Sequence, residues 1–181
     1  PHSPVVAGPK YREKYSDLEA NKQHYYGCIT AMDEQMGRLR NELKQLGVAD
    51  NTMLWFCSDN GPAAKGGGPG DTAGGRQQGT SGPYRGRKGS LYEGGVRVPG
   101  LLVWPDKIKN NRRTELPCST LDYFPTIMDV LGFEMEGQPE PIDGISLLPL
   151  IEGEDIEERP FPIGFESKKQ MALTDNRYKL I

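Results

Sequence analysis

The sequence predicts an α/β fold, and three features carry that prediction. Apolar residues recur every three or four positions through the stretch ending at Leu46. A short unbroken apolar run follows at Thr52–Cys57, and a second comes at Leu101–Trp104. The first pattern is one face of an α-helix, and the unbroken runs read as strands covered on both faces. A helix, a five-residue connection (Gly47 to Asn51) and a buried strand make one unit of an α/β sheet.

Each element has a local cause. Tyr25, Ile29, Met32, Met36, Leu39, Leu43 and Leu46 are spaced 4, 3, 4, 3, 4, 3, with charged and amide residues on the opposite face. Gly47 follows at once and suits a left-handed C-terminal stop. Barely three heptads are present, so a helix lying on a sheet is favoured over a coiled coil. Strand Thr52–Cys57 ends in Ser58-Asp59-Asn60-Gly61-Pro62, which places polar residues just past the carboxyl end of a strand. Open α/β sheets hold their ligands there. Residues 61–90 contain eleven glycines and almost no large apolar side chains, and long structureless stretches of this kind are usually functional or disordered. Order returns at Gly94–Pro99, and Lys107–Arg113 reads as a solvated basic turn. Leu121, Phe124, Met128 and Leu131 mark a second helix, with Pro125 in its tolerated first turn and Gly132 at its end. Glu134–Pro162 reads as a surface connector. Met171–Ile181 reads as a hairpin turning at Asp175–Asn176.

Composition narrows the function. The chain carries 22 Lys+Arg against 25 Asp+Glu, a net charge of -3, so it lacks the basic excess of a nucleic-acid-binding protein. Glycine (23) and proline (15) together make up about a fifth of the 181 residues, against ordinary usage of roughly 12%. No apolar run reaches the length of a membrane helix. The start, Pro1-His2-Ser3-Pro4, has neither Met nor a signal-peptide pattern and reads as a cut within a longer chain. Cys28, Cys57 and Cys118 form no CxxC and no even framework, which predicts buried free thiols.

Several residues are candidates for chemistry. The adjacent oxygens of Asp59 and Asn60 suit a hard cation such as Ca²⁺ or Mg²⁺, although an Asx-turn closing the strand accounts for the same residues. Two ligands are too few for Ca²⁺, so others must come from elsewhere. In Gly86-Arg87-Lys88-Gly89-Ser90, flanking glycines let backbone and ammonium approach a phosphate or sulfate together. This is not a P-loop, and an ordinary surface lysine is the alternative. Gly68–Ala73 formally matches GxGxxA, but no strand leads into it. His2, between two prolines in sequence, is either a turn residue or a directed imidazole. His24 is expected at a solvated or partly buried helix edge, and Asp33 as a structural partner near the packed face.

The order of these pieces is more specific than any one of them. His2-Ser3-Pro4, the helix, the strand ending Ser58-Asp59-Asn60-Gly61, then Gly86-Arg87-Lys88-Gly89-Ser90-Leu91-Tyr92-Glu93-Gly94-Gly95, then Thr120-Leu121-Asp122, Asp143-Gly144 and Asn176-Arg177-Tyr178 together resemble the C-terminal half of a type I (formylglycine-dependent) sulfatase of the arylsulfatase and N-acetylgalactosamine-6-sulfatase-like kind. The resemblance implies an alkaline-phosphatase-like domain, a mixed sheet with helices on both faces, here missing its first strands. It implies a catalytic-domain part over 1–155 and the beginning of a small C-terminal antiparallel subdomain over 156–181. It further implies that Asp59 and Asn60 are Ca²⁺ (or Mg²⁺) ligands and that Lys88 and His2 contact the sulfate group. Family members hydrolyse sulfate esters with a formylglycine made from Cys or Ser in C/S-x-P-x-R. None of the three cysteines sits in that motif, so the nucleophile is expected in the missing N-terminal half and the chain alone is expected to be inactive. The implied partner is a sulfated small molecule or glycan, in a periplasmic, extracellular or lysosomal setting. A phosphoester or phosphonate hydrolase of the same superfamily, and a non-catalytic relic that binds a cation or sulfated glycan, are the alternatives.

Overall fold

A single turn of helix, α1 (Pro9–Arg12), comes first, with Pro9 at its first position, where a missing N–H costs nothing. The computed structural model describes residues 4–63, 78–134, 137 and 142–181. His2, the GxGxxA match and the rest of residues 64–77 lie outside the described residues. The chain divides into two compact units, Pro1–Trp104 and Pro105–Ile181.

In the first unit, α2 (Ala20–Gln45) is the predicted helix, 26 residues long. Gly47 closes it at φ 71°. Its N–H donates to Lys44 O at 3.0 Å and that of Val48 donates to Leu43 O at 3.1 Å, so two otherwise orphaned carbonyls are satisfied. The packed face differs from the predicted one. Its buried residues are His24 and Gly27, whereas the apolar stripe is largely exposed, Leu46 to 72%. The cause is the segment Val5–Tyr11, which lies on the small-residue face. A Cβ on Gly27 would stand 2.7 Å from Ala7 Cβ. His24 is buried, beyond the solvated or partly buried edge expected of it, and its Nδ1 accepts the Ala7 N–H at 3.1 Å. Asp33 is exposed, away from the packed face.

Strand β1 (Leu54–Cys57) pairs antiparallel with β2 (Gly100–Val103), in a register that sets Leu54 opposite Val103 and Cys57 opposite Gly100. Both runs are strands as expected, but neither is buried. All four β1 residues are half-exposed and Leu101 is 61% exposed. A strand is covered only when elements lie on both its faces, and within this two-stranded ribbon each strand has a single partner. Between them, a helical turn, α3 (Glu93–Val96), forms around the double glycine.

The second unit opens with a 3₁₀ turn over Thr120–Asp122 that runs into α4 (Tyr123–Leu131). Ser119 and Asp122 form a reciprocal cap: Ser119 Oγ accepts the Leu121 N–H at 3.3 Å and Asp122 Oδ2 accepts the Ser119 N–H at 2.7 Å. Gly132 ends the helix at φ 64°, as its position predicts. The stretch read as a connector contains a short helix, α5 (Leu148–Glu152), packed on α4. Lys107 pairs with Glu152 at 2.6 Å, and an Arg112 guanidinium N–H donates to Ile151 O, so the basic turn is tied down rather than simply solvated. The C-terminal sheet has the order β3 (Ile163–Ser167), β4 (Gln170–Thr174), β5 (Lys179–Leu180), all antiparallel. The β4–β5 hairpin turns at Asp175–Asn176 as predicted, and Asp175 Oδ1 accepts the N–H groups of Arg177 (2.7 Å) and Tyr178 (2.5 Å). Those two bonds hold its carboxyl below the usual aspartate range.

Candidate functional site

Main-chain hydrogen bonds join the turn after β1 to the loop around Lys88. Gly61 N–H donates to Gly95 O at 2.8 Å, Lys88 N–H donates to Pro62 O at 3.0 Å, and Gly94 N–H donates to Arg85 O at 2.8 Å. This closeness explains the glycines. A Cβ on Gly61 would fall 1.9 Å from Gly94 O, and one on Gly95 would fall 1.9 Å from Ser90 O, distances no side chain can occupy. The backbone of Lys88 is thereby tied to Pro62, just past the Asp59–Asn60 turn. The loop is braced internally as well. Ser81 Oγ donates to Tyr84 O and Gly86 O at 3.0 and 3.1 Å. The Arg85 guanidinium lies 4.1 Å above the Tyr92 ring, a cation–π contact.

Within the turn, Ser58 Oγ donates to Asn60 O and Asn60 Nδ2 donates to Gly61 O, each at 2.9 Å. The amide nitrogen is thus committed to the turn, which leaves Oδ1 as the Asn60 atom suited to a hard cation. Asp59 is exposed at the strand end. The turn interpretation and the ligand interpretation are therefore compatible: the local hydrogen bonds shape the turn without using Asn60 Oδ1. Among the described residues no group of three or more His, Cys, Asp or Glu is gathered as a metal would need. The Asp59–Asn60 pair fits a hard cation by donor chemistry and falls short of a full coordination sphere.

Lys88 is exposed, and the structure brings its backbone to the same turn. His2 lies outside the described residues, but the segment that follows it is fixed through Ala7 and His24. Tyr25 also borders this unit's loop. Its hydroxyl oxygen sits 2.6 Å from where a Cβ on Gly79 would be, and burial pushes its phenol above the ordinary tyrosine range. All three cysteines are free thiols, Cys28 and Cys57 half-buried and Cys118 exposed, so the prediction of free thiols holds and that of burial does not. Cys118 Sγ still donates to Leu116 O at 3.3 Å. Desolvation, with a smaller contribution from the Asp122 charge, raises its thiol above the usual value.

A buried ion pair escaped the sequence reading. Asp122, with no exposed surface, takes two guanidinium bonds from Arg159 at 2.7 and 2.8 Å, plus the Ile145 N–H at 2.9 Å. Thr126, equally buried, donates to Asp122 O at 2.6 Å and accepts the Leu147 N–H at 2.9 Å. Asn176 clasps the Arg159 backbone through both its amide atoms, at 2.7 and 2.9 Å. The partners are 37 residues apart, and only the cap of Ser119 with Asp122 was open to detection from the sequence.

Known proteins carry the same arrangement of pieces. The profile of the sulfatase family matches residues 1–133. Steryl-sulfatase of Mus musculus is 39% identical over 130 residues, 72% of this chain and 20% of that protein. N-acetylgalactosamine-6-sulfatase of Canis lupus familiaris is 29% identical over 179 residues, 98% of this chain and 31% of the relative. Among solved structures, Ps i-CgsB in complex with k-i-k-neocarrahexaose superposes with a TM-score of 0.79 at 29% identity, covering 99% of this chain and 38% of that one. The chain thus spans between a fifth and two fifths of these proteins. With the family profile matched from His2-Ser3-Pro4 through the Lys88 loop to the end of α4, the chain belongs to the sulfatase family.

Proposed function

We propose that this chain is the part of a longer sulfatase that grips the sulfate group and contributes to a cation site. The single observation that supports this most is the main-chain stitching of the Asp59–Asn60 turn to the Lys88 loop, Gly61 N–H to Gly95 O and Lys88 N–H to Pro62 O. It supports the reading because the backbones that carry the Asp59–Asn60 pair and Lys88 are bonded to one another. Residues 1–155 belong in this reading to the catalytic domain, and 156–181 open the small C-terminal subdomain.

Hydrolysis of a sulfate ester builds negative charge on the sulfuryl oxygens and on the departing alcohol oxygen. Preorganised cations lower that barrier because they are already in place when the charge appears. Lys88 is the ammonium that faces the sulfate, and His2, once protonated, is a second donor. Asp59 and Asn60 would help hold a divalent cation, Ca²⁺ or Mg²⁺, which when bound would supply positive charge to offset that of the sulfate oxygens. The nucleophile belongs to a C/S-x-P-x-R segment upstream: none of the three cysteines sits in one, and Ser81-Gly82-Pro83-Tyr84-Arg85, which matches the pattern formally, spends its Ser81 hydroxyl on Tyr84 O and Gly86 O within the Lys88 loop, so the chain alone is expected to be inactive. A sulfated glycan is the favoured substrate class over a small aryl sulfate, because a structural relative carries an oligosaccharide.

The test uses the longer protein that carries this chain and an upstream C/S-x-P-x-R. Lys88→Ala is expected to lower kcat/KM for a sulfate ester by about 10²-fold, the order lost with one transition-state donor. Unchanged kcat/KM removes Lys88 from the site. Matched sulfate and phosphate esters assayed side by side must favour the sulfate; preference for the phosphate ester assigns the protein to phosphoester or phosphonate hydrolysis instead.

A further inference from the structure

The loop that carries Lys88 holds three more cations. Between residues 84 and 98 stand Arg85, Arg87, Lys88 and Arg97 against one acid, Glu93. Four less one leaves a local excess of +3, in a chain whose net charge is -3. Two of the arginines are engaged within the loop: Arg85 over Tyr92, and Arg97 at 5.0 Å from the Tyr84 ring centre and 3.6 Å from Glu93. Arg87 differs. It is exposed, adjacent to Lys88, and no carboxylate pairs with it among the described residues. Its backbone is nevertheless fixed. Arg87 O accepts the Ser90 N–H at 3.0 Å and lies 2.6 Å from where a Cβ on Gly95 would be, and Gly95 O in turn accepts the Gly61 N–H.

A guanidinium mounted on immobile backbone loses only side-chain freedom when it binds, and its planar fork matches a carboxylate or sulfate in two bonds at once. In the proposed reading the sulfate group is already served by Lys88, His2 and the cation at Asp59 and Asn60, which leaves Arg87 without a role in holding it. We infer that Arg87 is a specificity residue: it takes a second anionic group of the substrate, next to the sulfate held by Lys88. The preferred substrate is then a polyanionic oligosaccharide. This rests on the assignment of Lys88 to the sulfate group.

The longer protein and its Arg87→Gln variant are compared on 4-nitrophenyl sulfate and on three disaccharides. One disaccharide is monosulfated and otherwise neutral, one carries a second sulfate, and one carries a uronic carboxylate. KM is measured for each, and Kd by calorimetry. Loss of one charge-assisted contact is expected to weaken at least one dianionic disaccharide about five- to tenfold, with 4-nitrophenyl sulfate and the monosulfated sugar changed less than about twofold. The dianionic sugar that responds identifies the second group. An equal effect on all four compounds, or on none, overturns the assignment. If the wild-type protein hydrolyses no sulfate while calorimetry still separates the dianionic sugars by Arg87, the sulfatase reading fails and the second anion contact stands.

Discussion

Asp59 shows how far one side chain can be interpreted from its neighbours. A carboxylate next to an amide at a strand end is legible in the sequence because every cause is local: the apolar run, the abrupt polarity and Gly61. The hydrogen bond from Asn60 Nδ2 to Gly61 O adds which amide atom remains for a cation. Replacing Asp59 by Asn keeps an oxygen in place and removes its charge, and Ca²⁺ sites tune affinity by ligand charge. Asp59→Asn in the longer protein is expected to weaken Ca²⁺ binding about tenfold, measured by calorimetry. Unaltered binding would exclude Asp59 from the coordination sphere. His24 was not legible in the same way. Its burial depends on Ala7, 17 residues earlier, whose N–H it accepts, and no spacing within α2 announces that.

At the scale of elements, stops were easier to predict than faces. Gly47 and Gly132 end their helices because a left-handed residue is needed there whatever packs nearby. The buried face of α2 was misjudged because it is chosen by what lies against it, and Val5–Tyr11 lies against His24 and Gly27. Strand β3 was missed for a related reason. Its two-residue turn into β4 is Lys168-Lys169, with Lys168 at φ 57°, where a glycine or asparagine would have signalled a hairpin. In the second unit the element that matters most is the junction of α4 with Arg159. Asp122 and the Arg159 side chain are almost wholly buried, so removing one partner strands a charge in a poorly solvating interior. Arg159→Met is expected to destabilise the longer protein by about 3–5 kcal/mol, read from urea denaturation, whereas Asp122→Leu added to Arg159→Met should recover only part of that loss, because the Ser119 and Ile145 N–H groups then lose their acceptor. A single-mutant loss below about 1 kcal/mol would put the pair in the class of surface ion pairs.

Across the whole molecule, apolar surface is the dominant feature. Leu46, Leu101, Phe161, Met171 and Leu180 are each more than 60% exposed, on a chain that spans at most two fifths of the relatives compared. Exposed patches beyond a few hundred Å² favour association and loosen the folded state. The 181-residue chain alone is expected to bind a hydrophobic dye and to melt over a broad range, followed by circular dichroism and calorimetry. A sharp, fully cooperative melt with no dye binding would show that these surfaces need no cover. The α/β class was legible from periodicity alone, yet burial was not, because periodicity records which face is apolar and says nothing of whether a neighbour is present.

The frame that joins the Asp59–Asn60 turn to the Lys88 loop is made of peptide groups, Gly61 to Gly95, Lys88 to Pro62, Gly94 to Arg85. None of those bonds uses a side chain. With Lys88 assigned to the sulfate as proposed, substitutions that keep these peptide groups in place are expected to leave the turn and the lysine's loop joined, whatever side chains surround them.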